Sequence, residues 1–304
     1  MPDPAPAPTS PAPFGARLAA AFARTGQLCV GIDPHLPLLE EWGLPASGAG
    51  VREFGLRVVE AAAGRASAVK PQVAFFERFG AAGYAALEEV LAAGRAAGLL
   101  VIADGKRGDI GSTMAGYAGA WLEPGAPLEA DALTIYAAQG FGADEGAVAQ
   151  ALRAGKGLFV VTATSNPEAR EVQSAMRAEG PHAGATLAGA LTREVAARNA
   201  AAVGAGETPA DTLGSIGIVI GGTLRLAEVG IDPADLSGVP ILAPGFGFQG
   251  AVFADLPEIY GAALPNALVS VSRSVLAAGP EGMAAAVASD AAALARVLAS
   301  GRDS

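Results

Sequence analysis

Eight short apolar runs, each bounded by glycine, proline or charge, constrain this chain more than any other feature. They are 27–33 (QLCVGID), 68–76 (AVKPQVAFF), 99–104 (LLVIAD), 132–136 (ALTIY), 157–164 (GLFVVTAT), 217–221 (GIVIG), 240–243 (PILA) and 267–273 (ALVSVSR). Runs that are apolar nearly throughout suit strands covered on both faces, as parallel strands are when helices connect them. Spacers such as 51–64, 84–98 and 142–154 are rich in helix-favouring Ala, Leu, Glu and Arg. Eight strands alternating with helices favour a single-domain (β/α)8 TIM barrel, although an open doubly wound sheet looks similar strand by strand. The polar residues decide between them. Asp33, Lys70, Asp104, Thr164 with Ser165, and Arg273 fall within or just after five different runs. A closed barrel gathers five strand ends at one rim, whereas an open sheet concentrates such residues at its switch point.

A chain of 304 residues, 51% hydrophobic and 16% charged, can bury one large core. The longest connection, 165–216, is predicted to hold an extra helix or excursion, because structureless loops of that length are uncommon in compact domains. Residues 1–13 (MPDPAPAPTSPAP) carry no Lys or Arg and lack the order of a signal peptide, so they read as a disordered tail before a domain spanning 14–304. No uninterrupted apolar stretch of about 18 residues occurs, and no membrane span is predicted. A net charge of −10 opposes broad contact with nucleic acid and leaves room only for small, locally held phosphates. The single cysteine, Cys29, excludes an intrachain disulfide and fits a cytoplasmic setting; in its apolar run it reads as buried filler. With only two histidines besides, His35 and His182, no conventional zinc site is expected.

Only three basic residues are lysines, Lys70, Lys106 and Lys156, and all others are arginine. A lysine kept against that background points to a need for a compact, proton-donating ammonium. The sharpest motif is Asp104-Gly-Lys106-Arg-Gly-Asp109-Ile110-Gly-Ser-Thr113, which sets two carboxylates around one ammonium at the end of the third run. Opposite charges on both sides favour the protonated lysine. A solvated loop would explain an isolated Asp-x-Lys, but not the full spacing directly after a buried strand. Lys70 lies in an apolar strand, where an unpaired ammonium is costly, and Asp33 is its natural candidate partner. Taken singly, other residues have plainer readings: Asp33 as a strand terminator, Ser165 as a helix cap, Gly245, Gly247 and Gly250 as turn residues, Arg273 as a surface ion-pair partner.

Together these segments, in this order, resemble the orotidine 5′-phosphate decarboxylase family from Leu28 to about Leu276, and most closely its longer bacterial subgroup. The resemblance implies an enzyme of pyrimidine biosynthesis that uses no metal and no cofactor. Its substrate would be a small nucleotide, orotidine 5′-phosphate, and its products UMP and CO2. Asp104, Lys106 and Asp109 would be the catalytic group, with Lys106 stabilising and then protonating a carbanion at C6. Asp33 would hold a ribose hydroxyl, Lys70 would be the second-strand lysine, and Ile110 and Thr113 complete the signature. Thr164-Ser165-Asn-Pro resembles the segment that contacts the pyrimidine ring. Ala243-Pro244-Gly245-Phe-Gly-Phe-Gln249-Gly resembles the phosphate-gripping loop, and Ser272-Arg273 the phosphate site after the eighth strand. In the family Asp109 and Thr113 reach into the partner's active site, which implies a homodimer with shared sites. One departure is that Gly247 stands where many relatives carry a basic residue, which predicts a weaker phosphate grip or one met elsewhere.

Three rival readings share these features. A Mg²⁺-dependent phosphosugar decarboxylase or hexulose-phosphate synthase would use the same Asp-x-Lys-x-x-Asp core on the same barrel. A Schiff-base aldolase would need a neutral Lys70 or Lys106, which flanking carboxylates suppress. A non-catalytic phosphate-ligand binder would have no use for the charged triad.

Overall fold

The computed structural model describes residues 11–204, 213–247 and 250–300. Most of the expected tail, residues 1–10, and Gln249 of the expected phosphate loop lie outside the described residues. Each apolar run yields one strand: β1 Leu28–Ile32, β2 Ala68–Pro71, β3 Leu100–Arg107, β4 Ala132–Ile135, β5 Gly157–Ala163, β6 Ile216–Ile220, β7 Ile241–Ala243 and β8 Ala267–Val271. All pair in parallel with their sequence neighbours, and Leu28↔Val269 and Cys29↔Ser270 close β8 onto β1. The open-sheet alternative is thereby excluded.

Side chains alternate along each strand, so every second residue points into the barrel. Near the N-terminal end the inward positions are apolar, with Ala68, Leu100, Ile102, Ala132 and Phe159 in one buried cluster. The next inward positions along β2, β3 and β4 are Lys70, Asp104 and Thr134, and each is buried. One periodicity therefore builds a dry floor and, directly above it, a polar chamber. A helix ahead of the first strand, Phe14–Thr25, stoppers the floor by adding Phe14, Leu18 and Ala21 to the interior cluster. Phe14 meets Phe159 edge-on at 5.9 Å, and a Cβ at Gly157 would lie 2.4 Å from the Phe14 ring, so only glycine admits this approach.

Outside the barrel, the helices Gly48–Ala62 and Gly80–Ala96 bury Phe54, Val58, Leu87 and Val90 against each other and the strands. The closing helix Gly279–Ser300 is, by length and composition, long and apolar enough to cross a membrane. Here it buries Met283, Val287 and Leu294 in the main core, and Glu281, Asp290 and Arg296 interrupt its sequence.

Two local features differ from the sequence reading, and one expectation about a connection is met. The run 68–76 is strand only to Pro71, and Val73–Glu77 forms a short helix that buries Val73 and Phe76 at helical i, i+3 spacing. Among the described residues, the long connection holds the short helix Ala169–Gln173 ahead of the helix Leu187–Gly204, which is the extra helix expected there. The third strand continues beyond Asp104 to Arg107, and its pairing with β4 jumps from Ala103↔Leu133 to Arg107↔Ile135. Four steps in β3 thus lie against two in β4, which marks a bulge over the residues that carry the motif.

Candidate active site

A cavity of about 350 Å³ opens at the C-terminal end of the barrel. Asp104 is its charged centre. It occupies the last regular inward position of β3, is 7% exposed, and is held from three directions. Lys70 Nζ donates to Oδ2 at 2.7 Å, while Lys106 Nζ at 2.6 Å and Thr134 Oγ1 at 2.9 Å donate to Oδ1. Gln72, with its carboxamide turned to suit both neighbours, donates to the Asp104 carbonyl oxygen at 2.6 Å and accepts from Lys106 Nζ at 3.2 Å. Lys106 itself has φ +46°, a left-handed conformation that is uncommon outside glycine and that clusters at functional sites.

Burial alone would raise the Asp104 pKa, but the charges of Lys70 and Lys106 outweigh it and hold the carboxyl well below the usual carboxylate range. Burial would likewise discharge Lys70, yet Asp104 and Asp33 override it and hold the ammonium above the ordinary lysine value. The direct partner of Lys70 is Asp104, not Asp33 as its strand position suggested; Asp33 acts on it only through its charge. Cys29 is buried beneath this group, and burial pushes its thiol up to about 12, which suits filler and not a nucleophile.

Asp33 accepts a hydrogen bond from Ser272 Oγ at 2.5 Å through Oδ2. Its other oxygen, Oδ1, is buried without a partner. A buried carboxylate oxygen left unfilled is costly, so this one has an open place for a ligand donor. Pro244, Gly245 and Phe246 after β7 and Ser272 with Arg273 after β8 line the same end of the cavity. Gly247 has φ +82°, and a Cβ there would lie 2.8 Å from Ser274 Oγ, so a basic side chain at this position would be both strained and crowded. On the opposite wall Thr164 and Ser165 follow β5. Gln173 clasps that turn, accepting the Thr164 N–H at 2.9 Å and donating to Thr164 Oγ1 at 3.0 Å.

Three residues of the motif lie elsewhere. Asp109, Ile110 and Thr113 do not line the cavity. Asp109 Oδ1 accepts the N–H of Ile110 at 2.7 Å, Ile110 is 57% exposed, and Thr113 is exposed at the start of the helix Gly111–Leu122. Among the described residues, Lys106 is therefore paired with one carboxylate and not with the two its spacing predicted. After Arg107 the chain runs with Gly108 against the backbone of Tyr136 and carries the second carboxylate, half-buried, away from the cavity.

Several lining residues escaped sequence reasoning, including Gln72, Phe75, Thr134 and Ser270. Thr134 and Ser270 are polar residues at inward positions of otherwise apolar strands, each one residue before its strand's end, so counting the inward alternation along each strand would have found them. His35 also reaches the cavity, with its ring 4.2 Å from Phe75. Among the described residues, no group of three His, Cys, Asp or Glu side chains is arranged to hold a metal ion.

The profile of the family described as orotidine 5′-phosphate decarboxylase / HUMPS matches residues 26–288. A protein of Streptomyces coelicolor named orotidine 5′-phosphate decarboxylase is 50% identical over 278 residues, which cover 91% of this chain and 95% of that protein. One of the same name from Corynebacterium glutamicum is 47% identical over 270 residues, covering 88% of this chain and 92% of its own. In three dimensions, a Streptomyces avermitilis crystal structure described as an orotidine 5′-phosphate decarboxylase superposes with TM-score 0.87 at 45% identity, covering 96% of this chain and 98% of that one. Barrel, lysine–aspartate array and sequence likeness over nine-tenths of the chain agree, and this chain belongs to the orotidine 5′-phosphate decarboxylase family.

Proposed function

We propose that this chain converts orotidine 5′-phosphate to UMP and CO2, and that its own side chains supply all the chemistry. The observation that carries this reading is the Lys106 ammonium, fixed 2.6 Å from a buried, ionised Asp104 at the base of a closed barrel's cavity. Loss of CO2 from C6 leaves the bonding electron pair on a carbon with no adjacent carbonyl to accept it. A preorganised cation in a site of low dielectric stabilises that charge far better than water does. The Nζ–H proton then passes to C6, and the neutral amine regains a proton from solvent at the mouth.

Asp104 would face the substrate carboxylate, and two such charges 4 Å apart repel by about 4 kcal/mol at an effective dielectric near 20. Departure of CO2 relieves that repulsion. Lys70 keeps Asp104 ionised and in place. Asp33 Oδ1, which no protein donor reaches, accepts a ribose hydroxyl, and Thr164 and Ser165 contact the ring. Ser272, Arg273 and the backbone around Gly245 take the phosphate, and by resemblance Gln249 joins them. That remote binding energy is spent on orienting the ring.

The Mg²⁺-dependent phosphosugar enzymes of this barrel are the second reading, since the family description spans both groups. The names of the relatives at about half identity favour the decarboxylase. Full turnover of orotidine 5′-phosphate after exhaustive EDTA treatment is expected. Activity that vanishes with the chelator and returns with Mg²⁺ would refute the metal-free reading.

The working unit is a homodimer with shared sites. Supporting this are the exposed Ile110 and Tyr136, with Gly108 against Tyr136, and the position of Asp109 and Thr113 outside the lining of their own chain's cavity. Asp109→Ala and Arg273→Ala chains, each impaired alone, should recover activity when mixed, because one site in the hybrid is intact. Verified subunit exchange without recovery contradicts sharing. The reading places the protein in the cytoplasm, which cell fractionation checks.

A further inference from the structure

The third strand reaches the site in an irregular way. Between Ala103↔Leu133 and Arg107↔Ile135 the ladder carries Asp104, Gly105 and Lys106 opposite the single residue Thr134. Regular pairing resumes beyond the gap, where the Tyr136 N–H donates to the Arg107 carbonyl oxygen at 2.7 Å. A bulge leaves backbone groups without ladder partners, and here the side chain of the opposing strand meets that need. The Lys106 N–H donates to Thr134 Oγ1 at 2.9 Å, and the same oxygen donates its proton to Asp104 Oδ1 at 2.9 Å.

The directions of these two bonds are fixed by chemistry. An ionised carboxylate can only accept and a backbone N–H can only donate, so the one hydroxyl proton goes to Asp104 and a lone pair receives Lys106. No apolar side chain can do both. The residue so held is the lysine with φ +46°, a conformation that persists only where its surroundings over-determine it. Thr134 is 1% exposed, and its β-branched side chain suits the strand that presents it.

We propose that Thr134 is a positioning residue for the reaction: its hydroxyl takes the place of the missing ladder bond and sets the bulged Asp104–Lys106 segment in register with the cavity. This rests on the decarboxylase reading for its kinetic consequence, but not for its structural one. Thr134→Val keeps the branched shape and deletes the hydroxyl, Thr134→Ala does so without any crowding, and Thr134→Ser retains the hydroxyl.

Loss of the hydroxyl is expected to lower kcat by about 10- to 100-fold, the scale of a misplacement of about 1 Å. KM and the affinity for UMP stay within about threefold, because the nucleotide-holding residues are untouched. Thr134→Ser recovers most of kcat. In the unliganded protein, amide hydrogen exchange at Lys106 accelerates in the Val and Ala variants and returns toward the wild-type rate in the Ser variant. Wild-type kcat with unchanged Lys106 exchange in a folded Val or Ala variant overturns the proposal, as does an equal kcat loss in all three. Should the wild type itself fail to turn over orotidine 5′-phosphate, the functional reading falls, and the exchange measurement still judges Thr134.

Discussion

The barrel carries a lysine–acid network at each end, built from nearly the same ingredients. At the N-terminal end Lys156 Nζ lies 2.6 Å from Glu129 and 4.0 Å from Asp131, while Arg17 pairs with Asp131 at 2.6 Å. Backbone donors fill the remaining oxygens, Gly125 on Glu129 at 3.0 Å and Val101 on Asp131 at 2.9 Å. Every carboxylate oxygen there has a partner, and the Lys156 side chain is only 6% exposed. At the C-terminal end the Lys106 side chain is 36% exposed, its backbone is strained, the strand beneath it is bulged, and Asp33 keeps one oxygen unfilled. A saturated network holds the fold. One left incomplete and held by strain is prepared for a ligand.

Exchanging a lysine at each end separates the two roles. Lys106→Ala should cost the most, lowering turnover by about 10⁴-fold or more, since on the proposed mechanism it removes both the cation and the proton donor. Its thermal midpoint should stay close to wild type; retention of substantial turnover in that variant would end the proposed mechanism. Lys156→Met should do the reverse. It strands Glu129 and Asp131 with only their arginine and backbone partners, for a loss of about 2–4 kcal/mol in a denaturant titration, with kcat per folded molecule unchanged. An unaltered denaturation midpoint would show that the lower network is not structural.

The smallest effect concerns pH. Asp104 has a depressed pKa in the folded state, so its contribution is present above the unfolded carboxylate value of about 4 and is lost as pH falls below it. Lys70 has a raised one, so its contribution is present below the unfolded lysine value of about 10.4 and is lost as pH rises above it. The stability difference between wild type and Asp104→Asn should therefore be flat at neutral pH and shrink on the acid side. A difference that grows on acidification reverses the sign and rejects the assignment.

All eight strands were legible because burial on both faces demands uninterrupted apolar runs, and because Asp33, Lys70, Asp104, Ser165 and Arg273 sit where those runs end. Spacing along one chain, however, says nothing about register between strands. The bulge opposite Thr134 was therefore hidden, and so was the course of the chain that carries Asp109 away from the cavity. The apolar stretch after Pro71 suited strand and helix alike, since four or five hydrophobic residues carry no decisive period. Lys156 was singled out by its rarity, but nothing local to it told that its partners, Glu129 and Asp131, lie at the foot of the neighbouring strand.

The helix Phe14–Thr25 turns the barrel from a tube into a cup. With that end corked by aromatic and aliphatic side chains, gas freed at the bottom leaves by the doorway through which the nucleotide came. On the proposed mechanism, the hydrogen ion that recharges the amine travels in by the same route. Among the described residues the floor is closed by that helix, so the residues around the rim stand on the path of whatever enters or leaves the cavity.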